Sequence, residues 1–120
     1  MKLIIPGEFP TMNEIINASK AHKMKYARMK KEYGAVLFYH SKHLGKITGR
    51  NAYHCKWYRT NKRHDPDNIA AGGTKILLDG LMASNVLEND GHKQVGRLTH
   101  DFGVDKENPR VEVEIIPMGE

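Results

Sequence analysis

The sequence predicts a small α/β domain, α+β in the broader sense: a mixed four-stranded sheet with two main helices on one face. Three observations carry that expectation. Two stretches, Asn51 to Thr60 and Arg110 to Pro117, alternate apolar and polar residues with the period of a strand. Two others, about Lys23 to Lys42 and Pro66 to about Ser84, repeat apolar residues every three to four positions, as a helix with one buried side does. The segments follow one another as strand, helix, strand, helix, strand, strand, which suits one sheet covered on a single face.

The bulk properties narrow the classes. A chain of 120 residues is sized for one domain, 1–120, with a modest core that dimerisation would help. Hydrophobic content of 39% and charged content of 28% exclude a disordered tail. Cys55 is the single cysteine, which excludes an intrachain disulfide and a Cys-rich zinc site and fits a reducing, cytoplasmic setting. No apolar run approaches the roughly 18 residues of a membrane helix, and Met1-Lys2-Leu3-Ile4-Ile5-Pro6 is too short for a signal peptide. A net charge of +5 is compatible with a polyanionic partner without requiring one.

Taken in order, Lys2 to Phe9 reads as a first strand with Leu3 and Ile5 on one face and Pro6-Gly7 ending or bulging it. Pro10-Thr11-Met12-Asn13 is a turn that caps a short helical turn at Glu14 to Ala18. In the first long helix Tyr26, Met29, Tyr33, Val36 and Leu37 form the apolar side, and Gly34 is a weak point. The other side is basic and includes Lys25 and Arg28: a solvated face, or one that meets phosphates. Gly45 to Gly49 is a loop. In the second strand Tyr53, Cys55 and Trp57 face one way and His54, Lys56 and Tyr58 the other. Asn61 to His64 is a basic turn. The second long helix turns Ile69, Leu77, Leu78, Leu81 and Met82 inward. Gly72-Gly73 interrupts it, at roughly 1 kcal/mol per glycine relative to alanine, so a kink or bulge is expected there. Asn85 to Gly91 is a turn, Val95 to Phe102 a third strand, and Asp105 to Pro109 another turn. In the last strand Val111, Val113 and Ile115 alternate with Glu112 and Glu114.

The chemistry concentrates between Arg63 and Asp90. Asp65-Pro66-Asp67-Asn68 opens the second long helix, and Lys56, Arg59, Lys62 and Arg63 crowd just upstream. Acids clustered in a basic chain suggest a divalent cation meeting a polyanion, and carboxylate oxygens suit Mg²⁺ or Mn²⁺. The plainer reading is a helix start, with Asp65 as N-cap, Pro66 at the first helical position and Asp67 in the first turn. Asp90 returns as the third oxygen donor if its turn folds back to that corner; otherwise Asn89-Asp90-Gly91 is simply a strong turn signal. Lys75 and Asp79, four residues apart, form a surface ion pair or set a cation against a phosphate. Asn68 and Asp79 are candidates to orient the groups that do the chemistry.

These residues resemble the RusA family of Holliday-junction resolvases. The likeness rests on Asp65-Pro66-Asp67-Asn68, Lys75-Ile76-Leu77-Leu78-Asp79-Gly80-Leu81 and Val86-Leu87-Glu88-Asn89-Asp90, with the basic run before them and the strand Val111-Glu112-Val113-Glu114-Ile115 after. The resemblance implies a homodimeric, Mg²⁺-dependent endonuclease that cuts four-way DNA junctions symmetrically. Its metal carboxylates would be Asp65, Asp67 and Asp90, and its essential lysine Lys75. Two features depart from the family's pattern. Its paired acids stand here as Asn89-Asp90, and about four additional residues separate Asn68 from Lys75, so the Gly pair would have to loop out a turn to restore one helix face.

The expected function is therefore structure-selective, metal-dependent cleavage of branched DNA, with Asp65, Asp67, Lys75 and Asp90 catalytic. Lys25, Arg28, Lys56, Arg59, Lys62 and Arg63 would contact the DNA arms, which selects for shape more than sequence. The alternatives are a nuclease of flap or RNA specificity with the same carboxylates, and a non-catalytic DNA-binding or phage regulatory protein on the same fold.

Overall fold

Buried and half-buried residues alternate without a break along the second strand, so one side of the sheet is the core and the other faces solvent. The computed structural model describes residues 1–119. Its elements are β1 (Lys2–Pro6), α1 (Met12–Ala21), α2 (Lys23–Ser41), β2 (Asn51–Arg59), α3 (Pro66–Ala83), β3 (Val95–Val104) and β4 (Arg110–Pro117). The strands form one sheet in the order β1-β4-β2-β3. β4 pairs antiparallel with both β1 and β2, whereas β2 and β3 run parallel. The predicted mixed four-stranded sheet is present.

Leu3, Ile5, Tyr53, Cys55, Trp57, Val111, Val113 and Ile115 form the inner face of that sheet. The helices cover it with Ile15, Leu37, Ile69, Ile76, Leu77 and Leu81. Each fully buried aliphatic side chain contributes roughly 1.5–3 kcal/mol.

Three expectations need correction. Among the described residues there are three α-helices, since α1 runs for ten residues where a single turn is expected. Its start is fixed by a reciprocal cap: Glu14 N–H donates to Thr11 Oγ1, and Thr11 N–H donates to Glu14 Oε1. Burial works to raise the Glu14 pKa, but the Thr11 hydrogen bonds, with His64 and Arg59 nearby, hold it below its usual value. Strand boundaries also shift: β1 stops at Pro6, leaving Phe9 to enter the core, and β3 continues to Val104.

The third correction concerns Gly72-Gly73, because α3 passes through the pair unbroken. A Cβ on Gly72 would lie 2.4 Å from the Met12 nitrogen, and one on Gly73 2.4 Å from the Trp57 ring. The glycines let α1 and the sheet approach α3 closely, and that packing overrides their poor helix propensity.

Parallel neighbours cannot be joined by a tight turn, so α3 is the crossover from β2 to β3. A crossover helix runs antiparallel to the strands it joins. The first and last residues of α3 therefore lie toward opposite ends of the sheet, about 27 Å apart along an 18-residue helix. The segment 84–94 then leads back to β3.

Candidate nucleic-acid site between α3 and β3

The β2–α3 junction is tied down from below. Glu8 Oε2 accepts from the Thr60 N–H at 2.7 Å and from the Thr60 hydroxyl at 3.1 Å. Arg59 Nη1 donates to the Phe9 carbonyl at 2.7 Å, and its Nε lies 3.6 Å from Glu8. Arg59 is only 8% exposed. It is not the exposed DNA contact expected: it shares the inward parity of Tyr53, Cys55 and Trp57, and it holds the end of β2 to the segment after β1.

Asp65 stands at the N-cap of α3, yet its side chain makes no capping hydrogen bond. Its carboxylate is exposed, so the helix start does not engage it. Asp67 is also exposed; its Oδ1 accepts from the Asn68 N–H at 2.9 Å. Asn68 Oδ1 accepts from the Asn13 N–H at 3.0 Å and so pins the first turn of α3 to the first turn of α1. The contact is structural, joining two helix starts, and differs from the expected role of orienting the groups that do the chemistry.

Further along α3, an open cleft of about 440 Å³ separates the helix from β3. It is lined by Ala70, Ala71, Thr74, Lys75, Leu78 and Asp79 from α3, Asp90 from the following loop, and Leu98 and His100 from β3. Lys75 Nζ is 3.5 Å from Asp79 Oδ2. Asp90 is presented by a turn in which the Gly91 N–H donates to Asn89 Oδ1 at 2.7 Å, and the Asn89 N–H to Gln94 Oε1 at 2.6 Å. Asn89 and Gly91 form the turn, the amide at position 89 shapes it, and Asp90 alone of the three lines the cleft.

Asp67 lies on the cleft side of α3, because residues 67, 71, 74 and 78 share one helical face. It stands about one turn above Ala70 and Ala71. Lys75 is two turns beyond it, about 12 Å along the axis, since the helix does not loop out.

The expected convergence of Asp65, Asp67 and Asp90 into one centre is not seen. Among the described residues no group of three or more His, Cys, Asp or Glu side chains is placed to hold a metal ion. Asp65 and Asp67 sit at the start of α3 and Asp90 in the loop after its end, and of the three only Asp90 lines the cleft. Two carboxylates, Asp79 and Asp90, do line one cleft. That donor set fits a hydrated Mg²⁺ or Mn²⁺, which typically takes one or two protein carboxylates with water and substrate phosphate. It does not fit a closed three-carboxylate cage.

His100 also lines the cleft, and no sequence motif marks it as a site residue. The alternation of β3 places it with Leu98 and Phe102 on the helix side, but its environment depends on Trp57, its neighbour only in the folded chain. Trp57 Nε1 donates to His100 Nδ1 at 3.0 Å. Burial, aided by the nearby His54, pushes the His100 pKa below the usual histidine value.

The remaining basic candidates divide by position. Lys62 and Arg63 are exposed on the loop before Asp65, and Lys25 and Arg28 are exposed on the first two turns of α2. Lys56 is half-buried on the outer face of the sheet, in register with Asp101 and Glu112. No helix among the described residues is long and apolar enough to cross a membrane. No protein-family model matches the chain, and a search of curated proteins finds no match.

Proposed function

We propose that this protein is a Mg²⁺- or Mn²⁺-dependent endonuclease of the cytoplasm that cuts four-way DNA junctions as a homodimer. The observation that carries the reading is the α3–β3 cleft, where Lys75, Asp79, Asp90 and His100 line one open space on a basic chain. Lys75 neutralises charge on a phosphate lodged there. Asp79 and Asp90, which line the cleft, would hold the metal, with Asp67 about one turn beyond Ala70 and Ala71 on the same helical face. When bound, the metal supplies an activated water and charge neutralisation at phosphorus. Lys62, Arg63, Lys25 and Arg28 provide salt-sensitive contacts to the arms. A twofold dimer presents two equivalent clefts to a junction of matching symmetry, which accounts for paired cuts.

One observation favours a second reading, a branched-DNA-binding protein without cleavage: among the described residues no three His, Cys, Asp or Glu side chains are grouped so as to hold a metal ion. A substrate panel separates the two. Junction, flap and duplex DNA are incubated with the protein and Mg²⁺ or Mn²⁺. Paired symmetric nicks in the junction are expected; retention of the junction with no product at either metal selects the second reading.

A further inference from the structure

His100 is the cleft group that neither the motif nor the proposed reaction employs. An indole N–H can only donate. Since Trp57 donates to Nδ1, that nitrogen is the acceptor, and the proton of the neutral ring sits on Nε2. The arrangement is rigid, because Trp57 is buried in the core and its ring rests against Gly73. A doubly protonated imidazole would set two N–H donors against each other, and burial opposes the charge as well.

These facts restrict what the ring can do. With its proton on Nε2, His100 offers the cleft no lone pair for a metal. A neutral imidazole N–H does not release its proton near neutral pH, so the group is no general acid. It remains a fixed hydrogen-bond donor on the β3 wall, with the Lys75 ammonium on the α3 wall. One uncharged donor and one cation across a cleft suit a singly charged phosphodiester, which offers two non-bridging oxygens.

We propose that His100, held by Trp57 as an Nε2–H donor, binds a non-bridging oxygen of the DNA phosphodiester that lies between α3 and β3. The proposal rests on the nuclease reading only for its substrate class. The test uses His100→Leu, which removes the donor, and His100→Gln, which restores an N–H of similar reach. His100→Leu is expected to weaken junction binding and to lower kcat/KM by about tenfold to a hundredfold, and His100→Gln to recover most of the loss. Unchanged cutting by His100→Leu overturns the proposal and leaves the nuclease reading standing.

Nitrogen-15 NMR of the ring supplies a readout independent of turnover. The Nε2–H tautomer is expected, and its proton resonance should shift when junction DNA is added without metal. An Nδ1–H tautomer, or no shift at saturating DNA, overturns the proposal. If the wild type cuts nothing while that resonance still shifts, the nuclease reading fails and the phosphate contact survives.

Discussion

β1 closes one edge of the sheet with five residues, and its inward pair, Leu3 and Ile5, is fully buried. β3 closes the other edge with ten, and none is buried; Leu98, Phe102 and Val104 on its helix side are 40%, 42% and 46% exposed. Both edges keep regular register with an inner strand, apart from one shift at the start of β3, so backbone pairing does not distinguish them. Cover does. α2 packs against β1, whereas α3 leaves a cleft beside β3. Lys75, Asp79, Asp90 and His100 all lie along the less covered edge, so this sheet separates the side that secures the fold from the side available for chemistry. β3 is held from behind by polar contacts instead, with His54 Nε2 2.8 Å from Asp101 and Nδ1 2.5 Å from the Thr99 hydroxyl.

Truncating one residue at each edge breaks or sharpens this contrast most. Ile5→Ala is expected to cost about 2–5 kcal/mol in urea unfolding, and Phe102→Ala less than about 1 kcal/mol. Equal losses would erase the distinction. A smaller effect is expected where the two sides meet. Gly73→Ala drives a methyl into the Trp57 ring, at about 1–3 kcal/mol. It should also change the emission of Trp57, the single tryptophan, through its hydrogen bond to His100. Loss of stability without a spectral change would mean that the helix yields and the ring does not.

The smallest effect concerns the solvent face near β1. Arg110 hydrogen-bonds Glu112 and Asp105, both at 2.7 Å, and those bonds hold the two carboxyls below their usual pKa range. A carboxyl depressed in the folded state adds stability above its unfolded pKa, and that stability is lost as pH falls through the folded value. Arg110→Met is therefore expected to lower the thermal midpoint modestly at neutral pH and to converge on the wild type in acid. A gap that stays constant with pH contradicts the pairing.

Much of the fold was legible. The alternation in β2 and β4 and the helical repeat in α2 and α3 placed those elements to within a residue or two, because burial on one face leaves a periodic trace. Arg59 falls in phase with Tyr53, Cys55 and Trp57, but its charge points to solvent in the sequence, whereas the Phe9 carbonyl and Glu8 give it partners inside. The Gly pair was misread because propensity is local and the need for close approach comes from Trp57 and Met12. α1 was underestimated because Asn, Ser and Lys obscure a buried stripe of only Ile15 and Ala18.

The site was legible in part. Lys75, Asp79 and Asp90 share a cleft, and the last of these depends on how the loop after α3 returns. The distance between Asp67 and that loop is set by the crossover, which periodicity does not encode. His100 depends on a tautomer fixed from another strand.

Junction cleavage by Asp67→Asn and Asp90→Asn beside the wild type tests most directly whether the cleft beside the less covered edge cuts a phosphodiester. Both variants are expected to bind the junction as the wild type does, and Asp90→Asn to lose at least about a hundredfold in cutting, with Asp67→Asn following it if the first turn of α3 and the cleft act together. Cutting by Asp90→Asn at the wild-type rate would contradict the account.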